Sequence, residues 1–332
     1  MLKVKIRFWT AHHNMFLYAL FYYCSQRKQR FDIEYSNTIP YNCIALFWGD
    51  KAYVFDYADT PEVLLEPSPF NQYFKRSYLK QEDYHPKIKP LGLQVNYSYK
   101  PLRFIRNLEK HQLLDKRNRI EFLRAIDYFQ LSNLSHHSMD IRNYPTHLSL
   151  DNKRVIFFTR LWNPNNHISV DEKIRRERQN HFRINACRVL KKNFKNSFIG
   201  IYPDDYSSSL CPELLLDKKQ ISKRNYFKSL SNSTIGIADD GLKDTPGWKL
   251  GEYCLFGKAI ITTPINVEVK GFKVNQNYLE LSDRTSFDEI PEKVHLLLED
   301  SNLDKFAQNN KRWAEDHLHP ASYLVNLIPE LD

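Results

Sequence analysis

The stretch Thr234–Thr263, TIGIADDGLKDTPGWKLGEYCLFGKAIITT, carries strand, loop, helix and strand signals in one short run. Thr234 to Ala238 is apolar and short enough for a buried strand, and Asp239, Asp240 and Gly241 break it into a loop. Thr245 has the side chain of an N-cap, and Pro246 suits a first helical residue because its fixed φ and missing N–H cost nothing there. Gly257 stops the helix in a left-handed conformation, and Ala259 to Thr263 form the next buried strand. Such a unit points free backbone N–H groups and the positive helix end at the carboxyl edge of a sheet. That is where open α/β folds hold phosphorylated ligands.

On the same helix Lys249 and Glu252 lie three residues apart, on one face near its start. A lysine there neutralises a diphosphate, and a carboxylate one turn on can accept both hydroxyl protons of a ribose. These residues resemble the C-terminal domain of nucleotide-sugar glycosyltransferases of the GT-B type, whose nucleotide-binding helix carries an E-x7-E motif or a basic residue just before a glutamate. Asp244 and Glu252 have that spacing, with aspartate in place of the first glutamate, and EYCLFGKAIITTP is similar to the helix end and strand of the same class. The resemblance implies an α/β fold of two Rossmann-like domains whose parallel sheets face each other across a cleft. It implies a nucleoside-diphosphate sugar as co-substrate, a carbohydrate or lipid-linked acceptor, no metal, and a place in surface polysaccharide or lipopolysaccharide synthesis. Asp244, Gly247, Lys249 and Glu252 become the candidate donor-binding residues.

With 332 residues, the length favours two domains, and 42% hydrophobic with 14% aromatic residues can fill two cores. A polar turn at Asp151–Lys153 leads into the apolar run RVIFFTRLW, so residues 1–150 are read as the acceptor domain and 151–315 as the donor domain. By the resemblance, 316–332 form a helix that packs back on the first. Lys3 to Trp9, Phe31 to Tyr35, Cys43 to Trp48, Ala52 to Asp56 and Ile88 to Leu91 are the strand-like runs of the first domain, with Met15 to Cys24 a buried helix and Arg103 to Tyr128 a long charged one. In the second domain the spacing predicts helices over Val170–Phe194 and Arg224–Leu230, a strand over Ser197–Tyr202, and two helices in the tail. Such strand–helix alternation argues for a parallel sheet.

Arg160 ends the first strand of that second domain and resembles the arginine that touches donor phosphates in GT-B enzymes. Its planar fork can hold a departing diphosphate bidentately. For a general base the sequence offers two sets: His12 and His13 after the first strand, where histidine titrates near neutrality, or Asp56 and Asp59 at another strand end. Inversion and retention of configuration both stay open.

The net charge of +9 fits nucleic acid, an anionic membrane or a phosphorylated donor. Basic residues are spread along the chain, and the clusters Lys173–Arg178 and Lys191–Lys195 are broken by apolar positions as on a solvated helix face, so nucleic acid is not expected. The five cysteines are scattered and odd in number, which points to a reducing compartment. No run approaches the roughly 20 apolar residues of a membrane span, so the expectation is a cytoplasmic protein with room for peripheral contact at the inner membrane face. No HExxH, GxSxG, GxxxxGK[ST] or GxGxxG pattern occurs, which argues against a zinc protease, a serine hydrolase, a P-loop enzyme and a dinucleotide dehydrogenase.

Overall fold

The computed structural model describes residues 2–97, 108, 110–126, 141, 144–145, 148, 150–167 and 169–331. It divides the chain into one unit of Met1–Asn143, Asn266–Lys270 and Asp316–Asp332, and a second of Tyr144–Ile265 and Gly271–Glu315. The second therefore begins a few residues before the polar turn at Asp151, and the first recovers both a short later segment and the chain end.

In the first unit the strands are β1 (Leu2–Ile6), β2 (Phe31–Tyr35), β3 (Cys43–Trp48), β4 (Lys51–Asp56), β5 (Gln72–Lys75) and β6 (Ile88–Pro90), in the order β2-β1-β3-β4-β5-β6. Parallel pairing joins β1 to β2, β4 to β5 and β5 to β6, but β3 runs antiparallel to both neighbours. The sheet is thus mostly parallel, and β3 is the exception for a covalent reason. Trp48 pairs with Lys51, leaving only Gly49 and Asp50 to turn the chain, with Gly49 at φ +61°. A turn that short makes a hairpin, whereas parallel strands need a crossover of about a dozen residues.

Helix α1 (Asn14–Gln26) buries Met15, Phe16, Leu17, Ala19, Leu20, Tyr23 and Cys24, as its apolar run dictates. Of the long helix read over Arg103–Tyr128, α2 (Lys116–Ile126) is present, and both ends of that reading lie outside the described residues.

The second unit runs β7 (Val155–Thr159), α3 (Val170–Asn193), β8 (Phe198–Ile201), α4 (Asp205–Leu210), α5 (Lys223–Ser231), β9 (Ile235–Ala238), α6 (Trp248–Leu255), β10 (Ala259–Thr262), β11 (Tyr278–Glu280), α7 (Ile290–Leu298) and α8 (Asp300–His317). All five strands are parallel, in the order β11-β10-β9-β7-β8. Its core sets Val155, Phe157, Ile235, Ile237 and Ile261 against Phe182, Ala186 and Leu190 of α3 and Ile290, Val294 and Leu297 of α7. Gly236 lets α6 close on the sheet, since a Cβ there would run into the Tyr253 ring.

After α8 the chain returns to the first unit through α9 (Tyr323–Leu327). Tyr23 Oη donates to Leu331 O at 3.0 Å, Tyr97 Oη donates to Leu318 O at 2.7 Å, and the hydroxyls of Tyr57 and Tyr323 lie 2.8 Å apart. The two sheets with their helices make an α/β architecture. Among the described residues no helix is long and apolar enough to cross a membrane.

Candidate functional site

Strand order in the second unit reverses between β7 and β9: the chain leaves β7 towards β8 and then returns to pair β9 on the other side. At such a switch point the loops diverge and open a crevice outside the carboxyl ends of the strands. Arg160 follows β7, and Asp239, Asp240 and Gly241 follow β9, so both loops singled out in the sequence meet that edge. The Arg160 side chain is 49% exposed, with Nε 3.7 Å from Asp204 Oδ2 and its guanidinium 4.5 Å from the Tyr202 ring centre.

Helix α3 fixes the edge from beneath. Arg183 Nε donates to Asp239 Oδ2 at 2.6 Å and its Nη1 donates to Arg160 O at 2.5 Å. Arg175 Nη1 donates to Gly241 O at 3.1 Å, Gln179 Nε2 donates to the carbonyls of Asp240 and Gly241, and Asp240 N donates to Thr263 Oγ1 at 2.9 Å. Arg175, Gln179 and Arg183 are all buried, so the reading of Lys173–Arg178 as a solvated face is corrected at Arg175. The i, i+4, i+8 row 175, 179, 183 was the available signal, and its polar residues concealed it.

The loop ahead of α6 is tightly specified. A Cβ on Gly241 would run into Thr245 O, and Lys243 and Asp244 hold left-handed φ values of +52° and +59°. Asp244 Oδ1 lies 3.2 Å from Arg178 Nη2 and 3.8 Å from Arg284 Nη2. Helix α6 starts at Trp248 with Gly247 as its N-cap, two residues later than Pro246 would start it, because the left-handed pair at 243–244 delays the turn. Gly257, at φ +57°, ends that helix as its sequence requires. Beside this loop an open cavity of about 590 Å³ is lined by His167, Asp171, Ile174, Arg178, Lys243 and Asp244, among others.

Lys249 and Glu252 do share a face, but each meets protein. Lys249 Nζ donates to Phe158 O at 2.5 Å over the Phe157 ring, and burial pushes its ammonium down to about 8 against the pull of Asp239. Glu252 is 3% exposed; Oε1 accepts from Lys223 Nζ at 2.6 Å and Oε2 from Tyr226 Oη at 2.7 Å. Lys223 and Tyr226, on α5, are residues that no local pattern connects to Glu252. Asp240 is pushed up to about 7 by burial first, then by Asp239 and a hydrogen bond with Asp244.

The four acid–base candidates lie in the first unit, near the ends of β1 and β4. His13 is fully buried, and burial, then His12, pushes its ring down to about 3, so it stays neutral. Asp56 has no exposed surface: Oδ2 accepts from Tyr73 Oη at 2.6 Å and Lys75 Nζ at 3.0 Å, and Oδ1 from Ala58 N at 2.9 Å. Burial thus removes His13 and Asp56 as groups that could meet an acceptor. His12 is half-buried on the turn before α1, and Asp59 pairs with Arg76 while keeping 26% of its side chain exposed.

The sequence matches no protein-family model and no curated protein. Among solved structures, the chain is similar to the C-terminal domain of a glycosyl transferase group 1 family protein (LpcC) from Francisella tularensis, at 15% identity and a TM-score of 0.38, covering 54% of this chain and 97% of that one. It is similar to TarM at 13% identity and a TM-score of 0.37, where 79% of this chain matches half (50%) of the other. A glycosyltransferase from Rickettsia africae is similar over 97% of this chain and 80% of its own, at 10% identity and a TM-score of 0.40.

Proposed function

We propose that this protein is a glycosyltransferase that moves a sugar from a nucleoside-diphosphate donor to a hydroxyl of a carbohydrate or lipid-linked acceptor on the cytoplasmic side of the membrane, without a metal, in surface polysaccharide or lipopolysaccharide synthesis. One observation carries it: the reversal between β7 and β9 brings the loop after β7, with the half-exposed Arg160, and the glycine-dependent loop after β9 to a single sheet edge. Arg160 meets the diphosphate and stabilises the charge that builds on it as the glycosidic bond breaks. Asp244 and Gly247 lie at the sugar. Lys249 supports the strand end beneath the phosphates from within the unit, and Glu252 receives the ribose diol once Lys223, still partly exposed, moves aside. His12 and Asp59 are the remaining candidates for the base.

The pairing of Glu252 with Lys223 and Tyr226 favours a second reading, a nucleotide-binding or partner protein without turnover, because the ribose acceptor is already satisfied. Acceptor-dependent release of nucleoside diphosphate from a panel of nucleotide sugars separates the two. Release supports the transferase; tight nucleotide binding without release under any acceptor supports the second.

A further inference from the structure

Four buried polar atoms with no hydrogen-bond partner converge in the second unit: Arg178 Nε, Arg284 Nε, Arg284 Nη2 and Asp240 Oδ2. They belong to one network. Arg284 Nε lies 3.3 Å and Arg178 Nη2 3.7 Å from Asp240 Oδ2, and both guanidiniums face Asp244 Oδ1 at 3.8 and 3.2 Å. Buried donors left unspent mark a place built for a group that brings acceptors. Asp240, only 5% exposed in its side chain, opposes the arginines less than an ordinary aspartate would, since burial first and then Asp239 push its carboxyl up to about 7.

Asp244, partly exposed at 32%, is the more accessible of the two carboxylates, and it borders the 590 Å³ cavity together with Arg178 and the exposed Lys243. It reaches the arginines from a left-handed backbone that follows a second left-handed residue. We infer that Arg178 and Arg284 form a site for an anionic group carried by the sugar of the donor, a carboxylate or a phosphate, and that the Asp244 carboxylate occupies this site until the ligand displaces it. The inference rests on the donor reading above and narrows it to acidic sugars. The ligand enters through the cavity, Lys243 adds charge at the rim, and the planar forks of the two arginines accept a two-oxygen anion side by side. Once displaced, Asp244 is free to leave its left-handed conformation.

Equilibrium titration with matched donor pairs tests this: UDP-glucose against UDP-glucuronate, and GDP-mannose against GDP-mannuronate, with UDP and GDP alone. The expected result is a preference of about tenfold or more for the acidic member of the pair whose nucleotide binds, the scale of one charge-assisted contact. Arg178→Gln abolishes that preference, and Asp244→Asn, which removes the internal competitor, raises affinity for the acidic sugar and for inorganic phosphate. Equal affinity for both sugars, with the bare nucleotide still bound, overturns the inference and leaves the donor site standing. A preference that survives Arg178→Gln in folded protein overturns it as well. Failure of every nucleotide to bind overturns both readings together.

Discussion

Arg183 Nε lies 2.6 Å from Asp239 Oδ2, with the two side chains 7% and 3% exposed, so the loop after β9 is tied to α3 by an ion pair shielded from water. Removing one partner strands the other charge. Arg183→Met should cost about 3–5 kcal/mol of stability, and the double variant Arg183→Met/Asp239→Leu should cost less than the sum of the singles. Denaturant midpoints for a double-mutant cycle measure this; additive costs would show that the pair is not coupled.

His13 makes stability depend on acid. Its folded value, about 3, lies below the ordinary 6.5, so the unfolded chain binds its proton first as pH falls. Stability from this group is complete above pH 6.5 and is lost progressively from there towards pH 3. Asp240, raised to about 7, acts oppositely: the folded state keeps a proton that the unfolded chain gives up, so its contribution falls as pH rises from about 4 to 7. The informative quantity is therefore the difference between wild type and His13→Asn. The wild type should lose more stability than the variant between pH 6.5 and 4.5, and parallel curves would contradict the burial of that ring.

The glycines of the β9–α6 loop should separate sharply. Gly247→Ala meets nothing within 4 Å at an ordinary φ of −74°, so it should cost no more than about 1 kcal/mol, the weak-cap penalty. Gly241→Ala drives a methyl into Thr245 O, against backbone that cannot yield. It should cost several times as much and distort the loop. Thermal denaturation of both variants checks the order, and equal losses would mean the loop is not packed as described.

Much of the second unit was legible because buried parallel strands read as unbroken apolar runs, as Val155–Thr159 and Ala259–Thr262 do. Gln72–Lys75 escaped because its last residue is a lysine, and burying that charge depends on Asp56 and the Glu62 carbonyl, both distant in sequence. The antiparallel β3 escaped for want of pairing information, although the Gly49–Asp50 turn between apolar runs was there to be read. At the site, spacing along one helix located Lys249 and Glu252 but could not reveal Lys223, Tyr226 or the Phe158 carbonyl, which come from other elements. Arg175 and Arg183 were hidden by the ordinary expectation that helix charges face water.

The central claim is that the edge at Arg160 holds a nucleoside diphosphate. Thermal-shift titration of UDP, GDP, ADP, dTDP and CMP, in wild type and Arg160→Ala, tests it most directly. Half of this side chain is exposed and its acidic neighbour Asp204 stands 3.7 Å away, so the substitution should leave the unliganded protein about as stable as before. One nucleotide class should stabilise the wild type by about 2.7 kcal/mol at a hundredfold excess over its dissociation constant, and Arg160→Ala should weaken that binding by about ten- to a hundredfold. A shift of equal size in both proteins, or none with any nucleotide in folded wild type, would contradict the account.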